Sequence, residues 1–130
     1  MKPNHKLVLV MLAGIALGGA GATAIHAQQA KVAPGYVVSE VEVTDTATFA
    51  KYAAGVPATL APFNGQYVIR AGKITPVEGD APKQRFIVIA FDSVEKARAW
   101  EDSPAYEAIK PMRHASAKSR IFIAEGVAPQ

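Results

Sequence analysis

The stretch RFIVIAF, residues 85–91, constrains the fold more than any other part of the chain. It is nearly all apolar and rich in β-branched residues, with no polar alternation. Such a run fits a central strand buried on both faces. A central strand needs a neighbour on each side, and the flanking sequence supplies candidates. GYVVSEVEV, at 35–43, is valine-rich and partly alternating, which predicts a strand over 36–43. Asn64-Gly65 marks a turn, and a strand follows over 66–70. SRIFIAEG, at 119–126, reads as the last strand.

Helices fall between these strands. Asp45 is a helix cap, and Phe49, Tyr52, Ala53 and Val56 lie at i, i+3, i+4 and i+7, one apolar face. Pro57 should disturb that helix near its end, with a further turn running to Leu60. Asp92 is expected to cap the next helix, with Glu95 as its capping-box partner and Val94, Ala97 and Trp100 facing inward. Ser103 caps another, with Pro104 at the first helical position. Pro111 lacks the N–H that a helix interior needs, so the helix is expected to kink or restart there. The polar stretch KITPVEGDAPKQ, at 73–84, reads as a hairpin-like excursion. The order is β-α-β-β-α-β, an α+β chain of the ferredoxin-like arrangement with a four-stranded antiparallel sheet and helices on one face. The other face is expected to carry residues such as Val37, Val41, Val68 and Val88, depending on register. Covering it is worth several kcal/mol at about 25 cal/mol per Å², which predicts a homodimer packed sheet against sheet.

The chain has 130 residues, enough for one domain. Residues 1–27 read as a secretory signal: Lys2, His5 and Lys6, then an uncharged run from 7 to 25, then small residues with Ala27 as the last before cleavage and Ala24 as the alternative. An uncleaved segment, the alternative, would be the one route to a membrane. Residues 28–34 form a flexible lead-in, 35–126 the domain and 127–130 a tail. Removing Lys2 and Lys6 lowers the formal charge from +3 to +1. No basic block with interleaved aromatics remains, so nucleic acid is not an expected partner. Cysteine is absent, which excludes disulfides and thiol chemistry. The expected location is periplasmic or secreted.

The segments FNGQYVIRAGKITPVEGD and RFIVIAFDSVEKARAWEDSPAYEAIKPMR resemble the domain of unknown function family 1330, of the dimeric α+β barrel superfamily. The resemblance rests on Asn64-Gly65, Arg70-Ala71-Gly72, Glu78-Gly79, the apolar strand at 85–91, Ser103 to Tyr106, and Arg113. The chain departs from the family pattern at Asn64, at Ala71 and at Ala90, where an acidic residue is usual. The last change removes a carboxylate from the centre of the sheet. The resemblance implies the dimeric barrel. Related barrels include cofactor-independent monooxygenases, lactone isomerases and small-ligand binders, so the fold leaves the activity open.

The residues themselves narrow the chemistry. His114 is the only histidine outside the signal segment, so no metal site is expected. No nucleophile elbow, phosphate loop or dinucleotide fingerprint occurs, and no cofactor is expected. Arg70 ends one strand, Arg85 begins the next, and Glu78 lies in the loop between. The three can form an ion-pair cluster that fixes the loop, or part of a ligand site. Tyr106 and Arg113 are seven residues apart, on one face of an unbroken helix. They would offer a phenol and a cation to an anionic or phenolic ligand; alternatively Tyr106 packs in the core with Ile109 and Met112. Tyr52, Phe63, Tyr67, Phe91 and Trp100 either line an apolar pocket or form core. The ligand-binding candidates are therefore Arg70, Glu78, Arg85, Tyr106 and Arg113, and the catalytic candidates Tyr106, Arg113 and His114. His114 is expected at the surface. Three functions stand open: a small-molecule binder, a cofactor-independent monooxygenase- or isomerase-like enzyme, and a ligand-free interaction module.

Overall fold

The computed structural model describes residues 31–130. The segment expected to direct export lies outside them. Strand β1 spans Gly35–Val43, helix α1 Thr46–Leu60, a 3-10 turn Ala61–Phe63, strand β2 Gln66–Arg70 and strand β3 Arg85–Phe91. Helix α2 spans Val94–Glu101, α3 Pro104–Ser116 and strand β4 Ala117–Glu125. The strands form one antiparallel sheet in the order β2-β3-β1-β4, so the apolar run of β3 occupies an interior position.

The register decides which residues face the helices. Val37 pairs with Ile89 and Ile123, and Val37, Ser39 and Val41 are buried. They join Phe49, Tyr52, Val56, Trp100 and Tyr106 in one core. The placement of Val37 and Val41 on the open face is therefore corrected: β1 alternates the other way. Glu40 and Glu42 belong to the outer set with Tyr36 and Val38, and burying them under the helices would have cost far more than burying valines. The open face instead carries Val38, Val88 and Phe122, which are aligned across three strands, with Ile69 beside Val88. Phe122 is 45% exposed and Ile69 38%.

Strand β2 is irregular. Tyr67 pairs with Ile89 and Ile69 with Val88, which leaves Val68 as an extra, unpaired residue. This is a β-bulge. It puts Tyr67 on the helix side and Ile69 on the open side.

The helix ends follow from local hydrogen bonding. Asp45 caps α1, its carboxylate accepting from the N–H and the hydroxyl of Thr48 at 3.2 and 2.7 Å. Ser103 caps α3, accepting from the N–H of Tyr106 at 3.4 Å. The cap of α2 is Ser93, which accepts from the N–H of Lys96 at 3.1 Å. Asp92 is not the cap; its carboxylate accepts instead from the Asn64 side-chain amide at 3.2 Å. Asn64 sits in the left-handed region at φ 52°, where asparagine is tolerated better than most residues. At Gly35 an added Cβ would lie 2.6 Å from the Ser93 carbonyl oxygen, so only glycine lets β1 approach the start of α2 this closely.

Both interior prolines stay inside their helices. Helix α1 continues through Pro57 and α3 through Pro111. The expected restart at Pro111 does not occur, and the seven-residue spacing of Tyr106 and Arg113 remains on one helical face.

Candidate functional site

A small cavity of about 40 Å³ lies in the core between the sheet and the helices. Val41, Ile87, Ile89 and Ile121 form its sheet wall, and Phe49, Tyr52, Val56, Tyr106 and Trp100 its helical wall. Its polar end is built by Tyr52, Tyr106, Arg85 and Arg113, with Arg70, Tyr67 and Ser39 nearby. A wider groove of about 450 Å³ opens outside it, lined by Val43, Thr46, Phe49, Ala50, Ala53, Gln84 and Arg85. Phe49, Ala53 and Arg85 line both spaces.

The two tyrosine hydroxyls lie 2.7 Å apart and hydrogen-bond to each other. Tyr52 comes from the middle of α1 and Tyr106 from the first turn of α3. Tyr106 is held by Trp100, whose ring lies over it at a centroid distance of 4.0 Å. Trp100 is fixed in turn by donating its indole N–H to the Thr59 hydroxyl at 3.0 Å. That hydroxyl donates onward to the Val56 carbonyl at 2.7 Å. Every polar atom in this chain of contacts has a partner, which a buried network requires.

The arginines differ. Arg113 is 8% exposed and its Nε is buried without a hydrogen-bond partner. The Nε of Arg85 is likewise buried and unpaired. Their guanidinium groups lie over aromatic faces, Arg85 at 5.1 Å from the Phe49 ring and Arg113 at 5.9 Å from that of Tyr52. Arg70 lies over Tyr67 at 4.4 Å. Among the described residues the ion pairs are Lys110 with Glu101 and Glu107, and Arg120 with Glu40. None involves Arg70, Arg85 or Arg113, and no carboxylate lines the cavity. Aromatic faces compensate a buried cation only in part.

Burial dominates the acidity of the phenols. Desolvation pushes Tyr52 far above its ordinary range, and its bond to Tyr106 adds to the rise, while Arg113 opposes it. Tyr106 is also raised by burial, with its bond to Tyr52 and the nearby Arg113 opposing. Tyr67 is raised by burial, with Arg70 the main opposing charge. These phenols are neutral at physiological pH. In the unfolded chain a tyrosine ionises near pH 10. Above that pH the unfolded state loses protons that the folded state keeps, so stability falls as pH rises. A 295 nm titration is expected to show the Tyr52 and Tyr106 phenolate signal only as the fold is lost, in step with the near-ultraviolet circular dichroism of Trp100. Ionisation of every tyrosine around pH 10 with that dichroism intact would contradict the buried pair.

Of the residues singled out in sequence, Arg70, Arg85, Tyr106 and Arg113 come together around the cavity. Glu78 does not: it is exposed in the loop after β2 and forms no ion pair with Arg70 or Arg85. The ion-pair alternative for this loop finds no such pair among the described residues. His114 is exposed on α3 and does not line the cavity. Of the aromatics, Tyr52, Tyr67 and Trp100 line the cavity, whereas Phe91 is core and Phe63 packs against it. The polar role of Tyr52 went unread in sequence. The available signal was a tyrosine on an otherwise apolar helical face, whose hydroxyl needs a partner once buried. Among the described residues no three histidine, aspartate or glutamate side chains are grouped to hold a metal ion.

The family model for the domain of unknown function DUF1330 matches residues 34–127. The chain belongs to the DUF1330 family. Among curated proteins nothing matches it. Solved structures share its fold. It is similar to the RPA0582 protein of unknown function from Rhodopseudomonas palustris, with 13% identity, a TM-score of 0.61, and coverage of 98% of this chain and 97% of that one. The methylated form of RPA0582 superposes with a TM-score of 0.62 at 12% identity, covering 98% of this chain and 95% of that one. It is also similar to SnoaB, a cofactor-independent oxygenase from Streptomyces nogalater, with 18% identity, a TM-score of 0.52, and coverage of 76% of this chain and 96% of that one. This DUF1330 chain thus shares the α+β fold of that oxygenase.

Proposed function

We propose that this DUF1330 protein binds a small molecule in the space between its sheet and its helices, with Arg85, Arg113 and the Tyr52–Tyr106 pair at the polar end. The observation that carries this reading is the buried Arg113, its Nε without a hydrogen-bond partner and no carboxylate paired with it, at a cavity that shares Phe49, Ala53 and Arg85 with an outer groove. A guanidinium held this way costs stability unless something completes its hydrogen bonding. A protein that serves only as an interaction module has no need of one.

The second reading, a cofactor-independent oxygenase, is supported by the shared fold of SnoaB. Against it stands the local chemistry. Removing a proton from a carbon acid needs a base, yet no carboxylate or imidazole lines the cavity and burial keeps its phenols protonated. A substrate arriving already ionised would avoid that obstacle.

The working unit of this proposal is a homodimer. Its support is the apolar open face formed by Val38, Val88, Phe122 and Ile69. In this proposal the mature protein is exported, on the support of the 1–27 segment. Native mass spectrometry of protein recovered from the periplasm tests the binding. The expected species is a dimer with one retained small molecule per subunit. Ala53→Trp, which fills the boundary that cavity and groove share, is expected to carry none. Ligand-free protein in both samples would count against a resident small molecule.

A further inference from the structure

The cavity's charge is one-sided, and its size is specific. Two arginine Nε atoms are buried there without acceptors. The phenols that share the space are donors as well, one hydroxyl hydrogen being used between them and the other free to point inward. The lining thus presents an excess of donors and cations, and no carboxylate to receive them. The enclosed volume of about 40 Å³ holds roughly three water-sized groups. It admits a group of a few heavy atoms and no more. The groove outside is about ten times larger. It is lined mainly by Val43, Phe49, Ala50 and Ala53, with Arg85 at the junction.

We infer that the ligand is an amphiphilic monoanion: a carboxylate or similar planar oxyanion seated against Arg113, Arg85 and the tyrosine pair, on an apolar body that runs out past Ala53 into the groove. A carboxylate matches the planar guanidinium fork and accepts the hydrogen bonds now left open. A neutral molecule would leave both cations uncompensated. The inference rests on the small-molecule reading above and narrows it to one chemical class.

Trp100 is the only tryptophan in the chain and lines the cavity, so its fluorescence reports what enters. The probes are benzoate and hexanoate, each against its uncharged amide, benzamide and hexanamide. The expected result is a saturable change with the acids and affinity for the amides weaker by about tenfold or more. Arg113→Met keeps the apolar stem and removes the charge. It is expected to weaken benzoate binding by at least about tenfold, yet to melt at or above the wild-type temperature, because replacing a buried unpaired charge by a similar apolar volume is neutral or stabilising. Arg85→Met serves as the second variant, with the same loss of benzoate binding. Equal affinity for acid and amide would overturn the anionic assignment while leaving the pocket standing. No response to any of the four probes would remove the small-molecule reading as well. Unchanged benzoate binding in Arg113→Met, or a markedly lower melting temperature, would show that Arg113 serves the fold and not a ligand.

Discussion

Trp100→Ala is expected to cost about 3–5 kcal/mol, the range for truncating a large buried aromatic. Trp100 is 1% exposed. Its ring packs on Tyr106 at 4.0 Å and on Phe91 at 5.5 Å, tying α3 to β3. Its indole N–H reaches Thr59 at the end of α1. One side chain therefore joins three elements around the cavity wall, and little else stands ready to fill the space. For a domain of this size each kcal/mol moves the melting temperature by roughly 4–8 °C. A fall of some tens of degrees is expected by circular dichroism, or failure to fold. Trp100→Phe keeps most of the stacking and loses only the hydrogen bond, so its fall should be much smaller. A drop of only a few degrees for the alanine variant would mean that the helices hold together by other contacts.

Val88→Asp is the second large effect. Val88 lies opposite Val38 on the open face, in an interior strand, with Ile69 on its other side. In a sheet-to-sheet dimer this position is covered, and an aspartate there would be a buried charge with no partner. That penalty is several kcal/mol, and each 1.4 kcal/mol is a factor of ten. Dimer affinity should fall by about a thousandfold or more, giving a monomer by analytical ultracentrifugation at concentrations where the wild type is dimeric. The monomer itself should stay folded, since the side chain then faces water. A wild-type monomer, or a variant that remains dimeric, would place the subunit contact elsewhere.

Much of this architecture was legible in the sequence because apolar periodicity and turn chemistry agree. The strand at 66–70 begins after Asn64-Gly65 and ends where expected, and Ser103 with Pro104 opens α3. The face of β1 was misjudged because GYVVSEVEV alternates in two ways: valines fall at both odd and even positions, and only Glu40 and Glu42 break the tie. The cap of α2 was misassigned because Asp92 and Ser93 are both good caps and a contact with distant Asn64 decides between them. Pro111 misled because tertiary packing outweighs local propensity there: α3 is held by Tyr106, Arg113 and Ser116, all buried. At the site, the arginines and Tyr106 were readable as residue types. The Tyr52–Tyr106 contact joins residues 54 positions apart, and no local pattern encodes it.

The bulge at Val68 reaches beyond the shape of one strand. A sheet can grow sideways by recruiting another chain's backbone along a free edge, the route to fibres. Here the outer edge at β2 is only five residues long and is interrupted at Val68, so its amides do not form a regular template. The opposite edge, β4, carries exposed Lys118, a charged side chain that disfavours a second copy laid alongside. Lateral stacking is thus discouraged at both margins of a valine-rich sheet. A pair formed through the flat of the sheet, as proposed above, is closed and cannot propagate.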